Sequence, residues 1–364
     1  MIKYVDEYRD GEVARHIAKR IATDVRPERT YRFMEFCGGH THAIFRYGLS
    51  DLLPPAIRLI HGPGCPVCVL PIGRVDGAIA LSKQAIVATY ADMMRVPGSN
   101  AMSLFRARAE GADVRMVYSA TDALQIAREN PEKEVVFFAI GFETTTPPTA
   151  LAIRQAKIEN LSNFSVYCNH VLTPPALRGI LDSGAELDGV IGPSHVSAVI
   201  GIGPYDFVSE KYGKPIVISG FEPLDVMQSI LMLVEQVNSG RAEVENEYSR
   251  AVEGNGNARA QMLMEEVFEL RDAFEWRGLG WMERSARKIS AGYSEYDAEI
   301  RFGLITSSAS DHKACECGEI LRGIKSPKDC KVFGKACTPE NPLGSCMVSS
   351  EGACAAYYSY GRYK

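Results

Sequence analysis

The sequence has no long hydrophobic run, no block of one charge and no leader-like start. Its apolar runs, such as 135–140, are far too short to cross a bilayer. The formal net charge is −5 and charges of both signs are spread along the chain, so nothing favours nucleic acid or an anionic membrane as a partner. Residues 1–7 lack the apolar segment of a signal peptide, and we therefore expect a cytoplasmic protein.

A phosphate-binding loop and a legible internal repeat are also missing. Residues 144–146 are three threonines without the glycines and lysine that a phosphate loop needs, which argues against nucleotide binding. The remaining composition is ordinary: 364 residues, of which 46% are hydrophobic, are enough for two or three domains with substantial cores.

Cysteine, in contrast, is abundant and clustered. Ten cysteines need an explanation in a cytoplasmic protein, because structural disulfides do not persist in that compartment. Six of them lie between Cys315 and Cys354. Cysteines scattered through a core would be the simplest interpretation. Clustering of this kind favours metal or redox chemistry instead.

The first 240 residues alternate between short apolar runs and helical patterns. Apolar residues every fourth position, at Val13, Ile17 and Ile21, predict a helix over 10–23. Strands are predicted over 31–36, 57–61, 85–90, 113–118, 134–141, 164–168, 188–192 and 215–219. Helices are predicted near 40–49, 73–83, 101–110, 121–130, 147–161, 174–183 and 222–239. Such alternation indicates an α/β protein with parallel sheets and right-handed crossovers.

A single barrel would also fit this series, but two small doubly wound parallel-sheet domains around a cleft are the preferred architecture. The segment 241–271 is charged and helical in pattern, and the Cys-, Gly- and Pro-rich tail follows from 307. The predicted division is an N-terminal helical arm (1–30), a first α/β domain (31–132), a second α/β domain (133–222) and a helical, cysteine-rich iron–sulfur domain (223–364).

Reactive residues follow the predicted strands directly. Ligands of open parallel sheets bind beyond the carboxyl ends of the strands, so these clusters predict one active face. They are Cys37-Gly-Gly-His-Thr-His, the Cys65/Cys68 turn, Phe142-Glu-Thr-Thr-Thr-Pro-Pro, Cys168-Asn-His, Pro193-Ser-His and Gly220-Phe-Glu. Cys65 and Cys68 are two residues apart on a Gly-Pro turn, a spacing that permits either a disulfide or joint contact with one metal.

The six thiols of the tail exceed the four that a zinc ion or a cubane cluster takes. Four cluster ligands and a redox dithiol would account for all six. Zinc is the alternative, although the tail lacks the paired Cys-x-x-Cys knuckles typical of zinc sites.

Among the other polar residues, His42 and His195 are candidates for proton transfer, with helix capping or a satisfied structural histidine as the alternatives. His40 shares the motif of His42 and has the same two interpretations. Glu143 precedes a predicted helix whose dipole favours a carboxylate, so a structural role is preferred. Cys168 is interpreted as a buried apolar residue.

The motifs Cys37-Gly-Gly-His-Thr-His, Gly62-Pro-Gly-Cys-Pro-Val-Cys and Gly141-Phe-Glu-Thr-Thr-Thr-Pro, together with the six-cysteine tail, resemble the HypD family of hydrogenase maturation factors. The resemblance runs nearly end to end. It implies a scaffold for the iron centre of nickel–iron hydrogenases, Fe(CN)2CO. The implied partners are a small HypC-like chaperone, a HypE-like cyanide donor and, indirectly, the hydrogenase large subunit.

The resemblance also implies residue roles. Cys37 would share the iron with a cysteine of the small partner, and Cys65 and Cys68 would form the redox-active pair. The tail is similar to ferredoxin–thioredoxin reductase, which carries a 4Fe–4S cluster beside a dithiol. That likeness makes Cys317 and Cys346 the dithiol and assigns the cluster to four ligands, Cys315, Cys330, Cys337 and Cys354.

Two functions of other classes remain open at this point. One is a stand-alone iron–sulfur thiol–disulfide reductase that acts on a protein substrate. The other is a zinc-stabilised binding module without chemistry of its own.

Overall fold

The computed structural model describes Lys3, residues 6–305 and residues 308–361. The parts of the predicted N-terminal arm and tail at 1, 2, 4, 5, 306, 307 and 362–364 lie outside the described residues. The strands are β1 Tyr31–Glu35, β2 Ile57–His61, β3 Ile86–Thr89, β4 Val114–Met116, β5 Val135–Gly141, β6 Phe164–His170, β7 Gly189–Pro193, β8 Ile216–Ser219, β9 Val244–Asn246, β10 Phe268–Leu270, β11 Ala273–Trp276, β12 Gly280–Glu283 and β13 Arg287–Ile289.

The helices alternate with the strands in the first 240 residues, as the sequence predicts. They are α1 Gly11–Asp24, α2 Gly38–Arg46, α3 Leu49–Leu52, α4 Pro66–Val69, α5 Ile72–Leu81, α6 Leu104–Ala109, α7 Ala120–Glu129, α8 Thr146–Glu159, α9 Thr173–Asp182, α10 Ser194–Ile200, α11 Asp206–Glu210, α12 Pro223–Ser239, α13 Ala258–Val267, α14 Ala298–Arg301, α15 Cys317–Leu321 and α16 Ala353–Gly361. Within the described residues, no helix combines the length and apolar character needed to cross a membrane.

Two parallel sheets form the α/β part. The first, sheet A, has five strands in the order β2-β1-β7-β8-β9, and the second, sheet B, has four in the order β4-β3-β5-β6. All neighbours in both sheets are parallel, and β5 and β6 are buried along their whole length, as expected for strands covered on both faces. The eight strands predicted from the sequence are all present.

The sheets divide the strands differently from the predicted boundary at 132/133. Sheet A joins β1 and β2 to β7 and β8, and sheet B joins β3 and β4 to β5 and β6. Each sheet therefore takes strands from both predicted α/β segments. Parallel neighbours are linked by crossovers, which do not require that they follow each other in the chain. The order of the strands in the sequence therefore does not reveal which strands share a sheet.

One face of sheet A is covered by α1 and α12. Ala14, Ala18 and Ile21 of α1 are buried, whereas Val13, which the predicted apolar stripe included, is 44% exposed. The buried stripe thus keeps Ile21 and adds Ala14 and Ala18 in place of Val13, and these small alanines allow α1 to lie close to its neighbour. Ile21 shares a cluster of buried side chains with Ile230 of α12 and with Tyr31 of sheet A.

The region after residue 240 contains more strand than its sequence predicts. Val244–Asn246 extends sheet A beside β8, and the pairs β10–β13 and β11–β12 form small antiparallel ribbons. Only Ala258–Val267 of the predicted helical segment 241–271 is helical before β10 begins. The tail consists of loops, the helices α15 and α16 and short 3-10 turns, one of which is Ser345–Met347.

Candidate functional site

A cavity of about 340 Å³ lies where the carboxyl ends of both sheets face each other. Cys37 follows β1 and His195 lies in the first turn of α10, directly after β7, and the loops after β3 and β5 contribute Tyr90 and Thr144. Glu351 of the tail also lines it. Strand ends of both sheets therefore converge with the tail on one cleft. Two clusters of the predicted active face, Cys168-Asn-His and Gly220-Phe-Glu, contribute no residue to its lining.

Cys37 enters this cleft from the start of α2. It has an extended backbone, with φ −153° and ψ 132°, and is the residue before the first helical turn. Burial raises the pKa of its thiol, and the negative charge of Glu351 raises it further. Cys37 is thus a protonated thiol until a metal or another cation offsets these effects.

The Cys65/Cys68 turn packs directly against Cys37. Gly64 has no room for a side chain, because a Cβ there would lie 2.5 Å from the backbone N of Cys37. The N–H of Gly38 donates to the Gly64 carbonyl across 3.3 Å. Glycine at position 64 therefore lets the two thiol-bearing segments touch through their backbones.

Cys65 and Cys68 are both buried and both free thiols in the described structure. Cys65 precedes the short helix α4, and the Cys68 N–H donates to the Cys65 carbonyl across 3.1 Å. Burial raises the pKa of Cys68, and hydrogen bonds with the thiols of Cys346 and Cys65 raise it further.

Cys346 connects this turn to the tail. Its thiol interacts with those of Cys317 and Cys68, and these two interactions lower the pKa of Cys346 against the opposing effect of burial. The Ser345 hydroxyl donates to the Cys68 carbonyl across 2.8 Å and fixes the contact. Thiol contacts thus run without interruption from Cys65 through Cys68 and Cys346 to Cys317.

Cys317 lies at the centre of the tail thiols. It hydrogen-bonds both Cys315 and Cys354, and these bonds are the main reason that the pKa of each of those two thiols is raised. Gly344 faces the same sulfurs: a Cβ there would be 2.7 Å from the Cys317 Sγ and closer still to that of Cys315. A side chain at position 344 would fill the space beside the two sulfurs.

Comparison with known proteins identifies the family of this chain. Residues 12–361 match the profile of HypD, described as the hydrogenase formation hypA family. The chain belongs to the HypD family of hydrogenase maturation factors. It is 63% identical to the hydrogenase maturation factor HypD of Cupriavidus necator, across the whole chain and 98% of that relative. Identity is 52% with HypD of Rhodobacter capsulatus and 45% with HypD of Escherichia coli, each across 99% of this chain and 98% of the relative.

The four cluster ligands that the HypD resemblance implies are only partly gathered. The charges of Cys317 and Cys315 act on Cys337, and Cys354 hydrogen-bonds Cys317. The Cys330 thiol instead hydrogen-bonds Glu316. In the described part of the chain, no group of three or more His, Cys, Asp or Glu residues is arranged to hold a metal ion. The donor set, thiols beside the open Gly344 position, suits a thiophilic cluster, and the ligand assignment stays a prediction.

The two predicted histidines of this HypD chain lie apart. His195 lines the cleft, and its ring centroid is 4.1 Å from that of Phe221. His42 is absent from the cleft lining and hydrogen-bonds the Tyr360 hydroxyl through Nε2 at 2.9 Å. His40, which shares the motif of His42, stacks on Phe221 with ring centroids 4.7 Å apart and contacts the Ser219 carbonyl through Nε2 at 3.0 Å.

The contacts of Glu143 agree with a structural role. Both oxygens of its carboxylate accept hydrogen bonds of 2.9 Å from Thr173, one from the backbone N–H and one from the hydroxyl. The residue therefore joins the end of β5 to the start of α9. Burial raises the pKa of this carboxyl to about 7.

Sequence reasoning missed a further polar group beneath Cys37. Glu35 and His61 end β1 and β2, are directly opposite each other in the sheet register and are both buried. The signal in the sequence was one polar residue with a titratable side chain at the end of each strand, shortly before a cysteine motif. It could not be interpreted without knowledge that β1 and β2 pair in this register.

Proposed function

We propose that this chain is the redox-active scaffold on which the Fe(CN)2CO centre of nickel–iron hydrogenase is assembled, together with HypC-like and HypE-like partners. Membership of the HypD family supports the general role. The observation that carries the finer proposal is the uninterrupted series of thiol contacts from the Cys65/Cys68 turn through Cys346 to Cys317. This series connects the cleft that contains Cys37 to the cysteine-rich tail.

Cys37 is proposed to hold the iron as cargo. Low-spin iron that carries cyanide and carbon monoxide is a soft metal centre, for which thiolate is the matching ligand. The raised pKa of Cys37 keeps the free residue protonated, so metal binding releases its proton. The cleft is lined from both sheets, and a small partner could place its own cysteine opposite Cys37 there.

The thiol contacts permit a balanced exchange between the two cysteine pairs. When Cys65 and Cys68 are joined as a disulfide, the Cys346 thiolate attacks the Cys68 sulfur, so that a Cys346–Cys68 bond forms and Cys65 leaves as a thiolate. The Cys317 thiolate then attacks Cys346, and Cys68 leaves. The Cys65/Cys68 pair is reduced by two electrons, and the Cys317/Cys346 pair is oxidised by two.

The tail cluster is proposed to be a 4Fe–4S centre held by the thiols of Cys315, Cys330, Cys337 and Cys354. When bound, such a cluster supplies electrons one at a time. Two interactions support this proposal: that of Cys317 with Cys315 and Cys354, and that of Cys346 with Cys68.

Infrared spectroscopy of the chain purified anaerobically with its small partner tests the scaffold role. We expect bands of metal-bound cyanide and carbon monoxide in the wild-type complex. In Cys37→Ala these bands should be lost while the brown colour of the tail cluster remains, because the two sites use different thiols. An unchanged infrared spectrum in this variant would contradict the assignment of Cys37.

The same thiol contacts would also serve a stand-alone thiol–disulfide reductase, which remains the second candidate. Such an enzyme would need the Cys65/Cys68 pair but no iron on Cys37. Wild-type complexes that show no cyanide or carbonyl bands, yet reduce a protein disulfide, would favour this second function.

A further inference from the structure

Glu35 is a fully buried carboxylate at the end of β1, two residues before Cys37. It accepts hydrogen bonds from the Cys37 backbone N–H at 3.2 Å and from the Thr41 hydroxyl in the first turns of α2. The third contact is with the Nδ1 of His61 at 2.5 Å. One carboxylate therefore holds the residue before α2, the helix itself and the neighbouring strand.

His61 extends the connection to the Cys65/Cys68 turn. It is the last residue of β2, 6% exposed, and the turn begins at Gly62. The Gly62 N–H donates to the Glu35 carbonyl across 2.9 Å. Phe45 and Tyr357 pack against the His61 ring, with centroids at 5.5 and 5.2 Å, and restrict its orientation.

The Cys37 segment is thus fixed from two sides by residues that belong to β2 and its turn. Glu35, held by His61, accepts the Cys37 N–H, and Gly64 closes on the Cys37 backbone with no space for a Cβ. Rotation of the Cys37 peptide would break the first contact and collide with the second. The orientation of this thiol is therefore coupled to the position of the Cys65/Cys68 turn.

Stability alone does not require such a buried group. Replacing buried ionic groups by apolar residues of similar volume is often neutral or stabilising, so a buried Glu–His pair is weak grounds for a purely stabilising role. Polar groups that orient a metal ligand from behind are a recurring feature of metal sites. The position of Glu35, in direct contact with the Cys37 backbone, matches that second role.

We propose that Glu35, His61 and Thr41 are positioning residues, which hold the Cys37 thiol and the Cys65/Cys68 turn in one fixed mutual orientation. This inference rests on the proposed function only in that it takes Cys37 as the ligand for the metal cargo. The hydrogen bonds involve only residues of this chain, so the inference is testable without iron on Cys37.

The test is the alkylation rate of each cysteine, followed by mass mapping of the anaerobically purified, reduced chain. Thr41→Val removes one donor to Glu35 with little change of shape, and Glu35→Gln removes the carboxylate. We expect Cys37 to react about tenfold faster in each, because the Cys37 segment loses a hydrogen bond that orders it. Cys168, buried in sheet B, should keep its wild-type rate because it reports global opening.

Two control variants separate positioning from general destabilisation. Thr41→Ser keeps the hydroxyl and should restore the wild-type rate at Cys37. Asp188→Asn weakens a carboxylate that accepts the Arg32 N–H at the opposite end of sheet A, and it should lower thermal stability without faster Cys37 alkylation. Amide hydrogen exchange over 36–41 should rise in Thr41→Val and remain slow in Thr41→Ser.

An unchanged Cys37 rate in Thr41→Val, or equal acceleration of Cys37 and Cys168, would overturn the inference and leave only a structural role. Because Thr41→Val is nearly isosteric, the test stands even where Glu35→Gln does not fold. Loss of the infrared bands in Cys37→Ala tests the scaffold function separately, so the two proposals fail by different measurements.

Discussion

At the scale of single residues, Cys346 is the thiol that joins the two halves of the site. It contacts Cys68 on one side and Cys317 on the other, and its pKa is lowered by those two interactions. Cys68 has a raised pKa in the same contact. Cys346 is therefore placed to attack Cys68 from the side of the tail, which suits a residue that passes reducing equivalents toward the cleft.

This arrangement predicts the behaviour of Cys346→Ser. In oxidised wild-type protein we expect a Cys65–Cys68 disulfide, which opens when the tail is reduced with dithionite. In Cys346→Ser, opening should be at least about tenfold slower, because a serine hydroxyl cannot take the place of the thiolate. Alkylation and mass mapping of Cys65 and Cys68 measure it.

Cys168→Ser, which lies outside the thiol contacts, is the control and should open at the wild-type rate. Equal rates in Cys346→Ser and wild type would show that electrons reach the cleft by another route. Both thiols alkylated in the oxidised, metal-free wild type would mean that Cys65 and Cys68 do not form a disulfide.

The cluster ligands give a second prediction at this scale. Cys330→Ala or Cys337→Ala should abolish the brown colour and unfold the tail, because the cluster would lose one of its ligands. Cys317→Ser should keep the colour, since this residue is assigned to the dithiol. Visible absorption and iron content measure both. Full colour in Cys330→Ala would contradict the assignment of Cys330 as a cluster ligand. Its interaction with Glu316 would then indicate a structural role for Cys330.

At the scale of helices and strands, the alternating apolar elements of the first 240 residues were predictable, and the short strands after them were not. Strands such as β5 consist of consecutive buried apolar residues, and turn residues follow them, so their pattern is strong. Val244–Asn246 has three half-buried residues, of which two are polar, and it is a strand only because β8 offers an edge. Whether such a segment forms a strand depends on its pairing with another strand, which the local sequence does not indicate.

The candidate site shows the same limit. The cysteine motifs were visible because each lies at a strand end and is dense in cysteine and glycine. The contact between Cys68 and Cys346 joins residues from opposite ends of the chain, and the Glu35–His61 pair depends on the register of β1 and β2. Neither relation is a property of a local segment, so both required the structure.

Glu143, which joins β5 to α9, gives a prediction for pH dependence. Its pKa is raised from 4.5 to about 7 by burial, so the folded protein binds this proton more tightly than the unfolded chain. The stabilising effect is complete below the unfolded pKa and is lost as pH rises through about 7. Between these limits we expect it to change the free energy of unfolding by roughly 3 kcal/mol.

Urea denaturation of Glu143→Gln at several pH values measures this change. The variant should lose less stability than the wild type as pH rises across this range, because the amide does not titrate. Glu110→Gln, at an exposed position, is the control and should follow the wild-type curve. Parallel curves for Glu143→Gln and wild type would show that Glu143 titrates normally in the folded state.

At the scale of the whole molecule, each of the two sheets combines strands from both segments, 31–132 and 133–222. A fragment of residues 31–132 would contain β1 and β2 without β7, and β3 and β4 without β5. Each remaining pair of strands would be too small to fold alone, since two-stranded units are marginally stable at best. We expect such a fragment to show no cooperative thermal unfolding by circular dichroism.

A fragment that unfolds cooperatively, with the helix content of the corresponding part of the intact chain, would contradict this expectation. It would instead support the domain boundary predicted from the sequence. The fragment 31–222 is the appropriate comparison, because it contains both sheets except for β9 and should retain much more ordered structure.

Because each sheet combines strands that are far apart in the chain, neither sheet can be completed early during synthesis. Sheet A can join β1 to β7 only after residue 193 has left the ribosome, and Cys68 meets Cys346 later still. Until then, Cys37, Cys65 and Cys68 belong to a nascent chain whose thiols are open to oxidants and free metal ions. A cell that makes this protein must therefore protect three thiols for most of the time that translation takes.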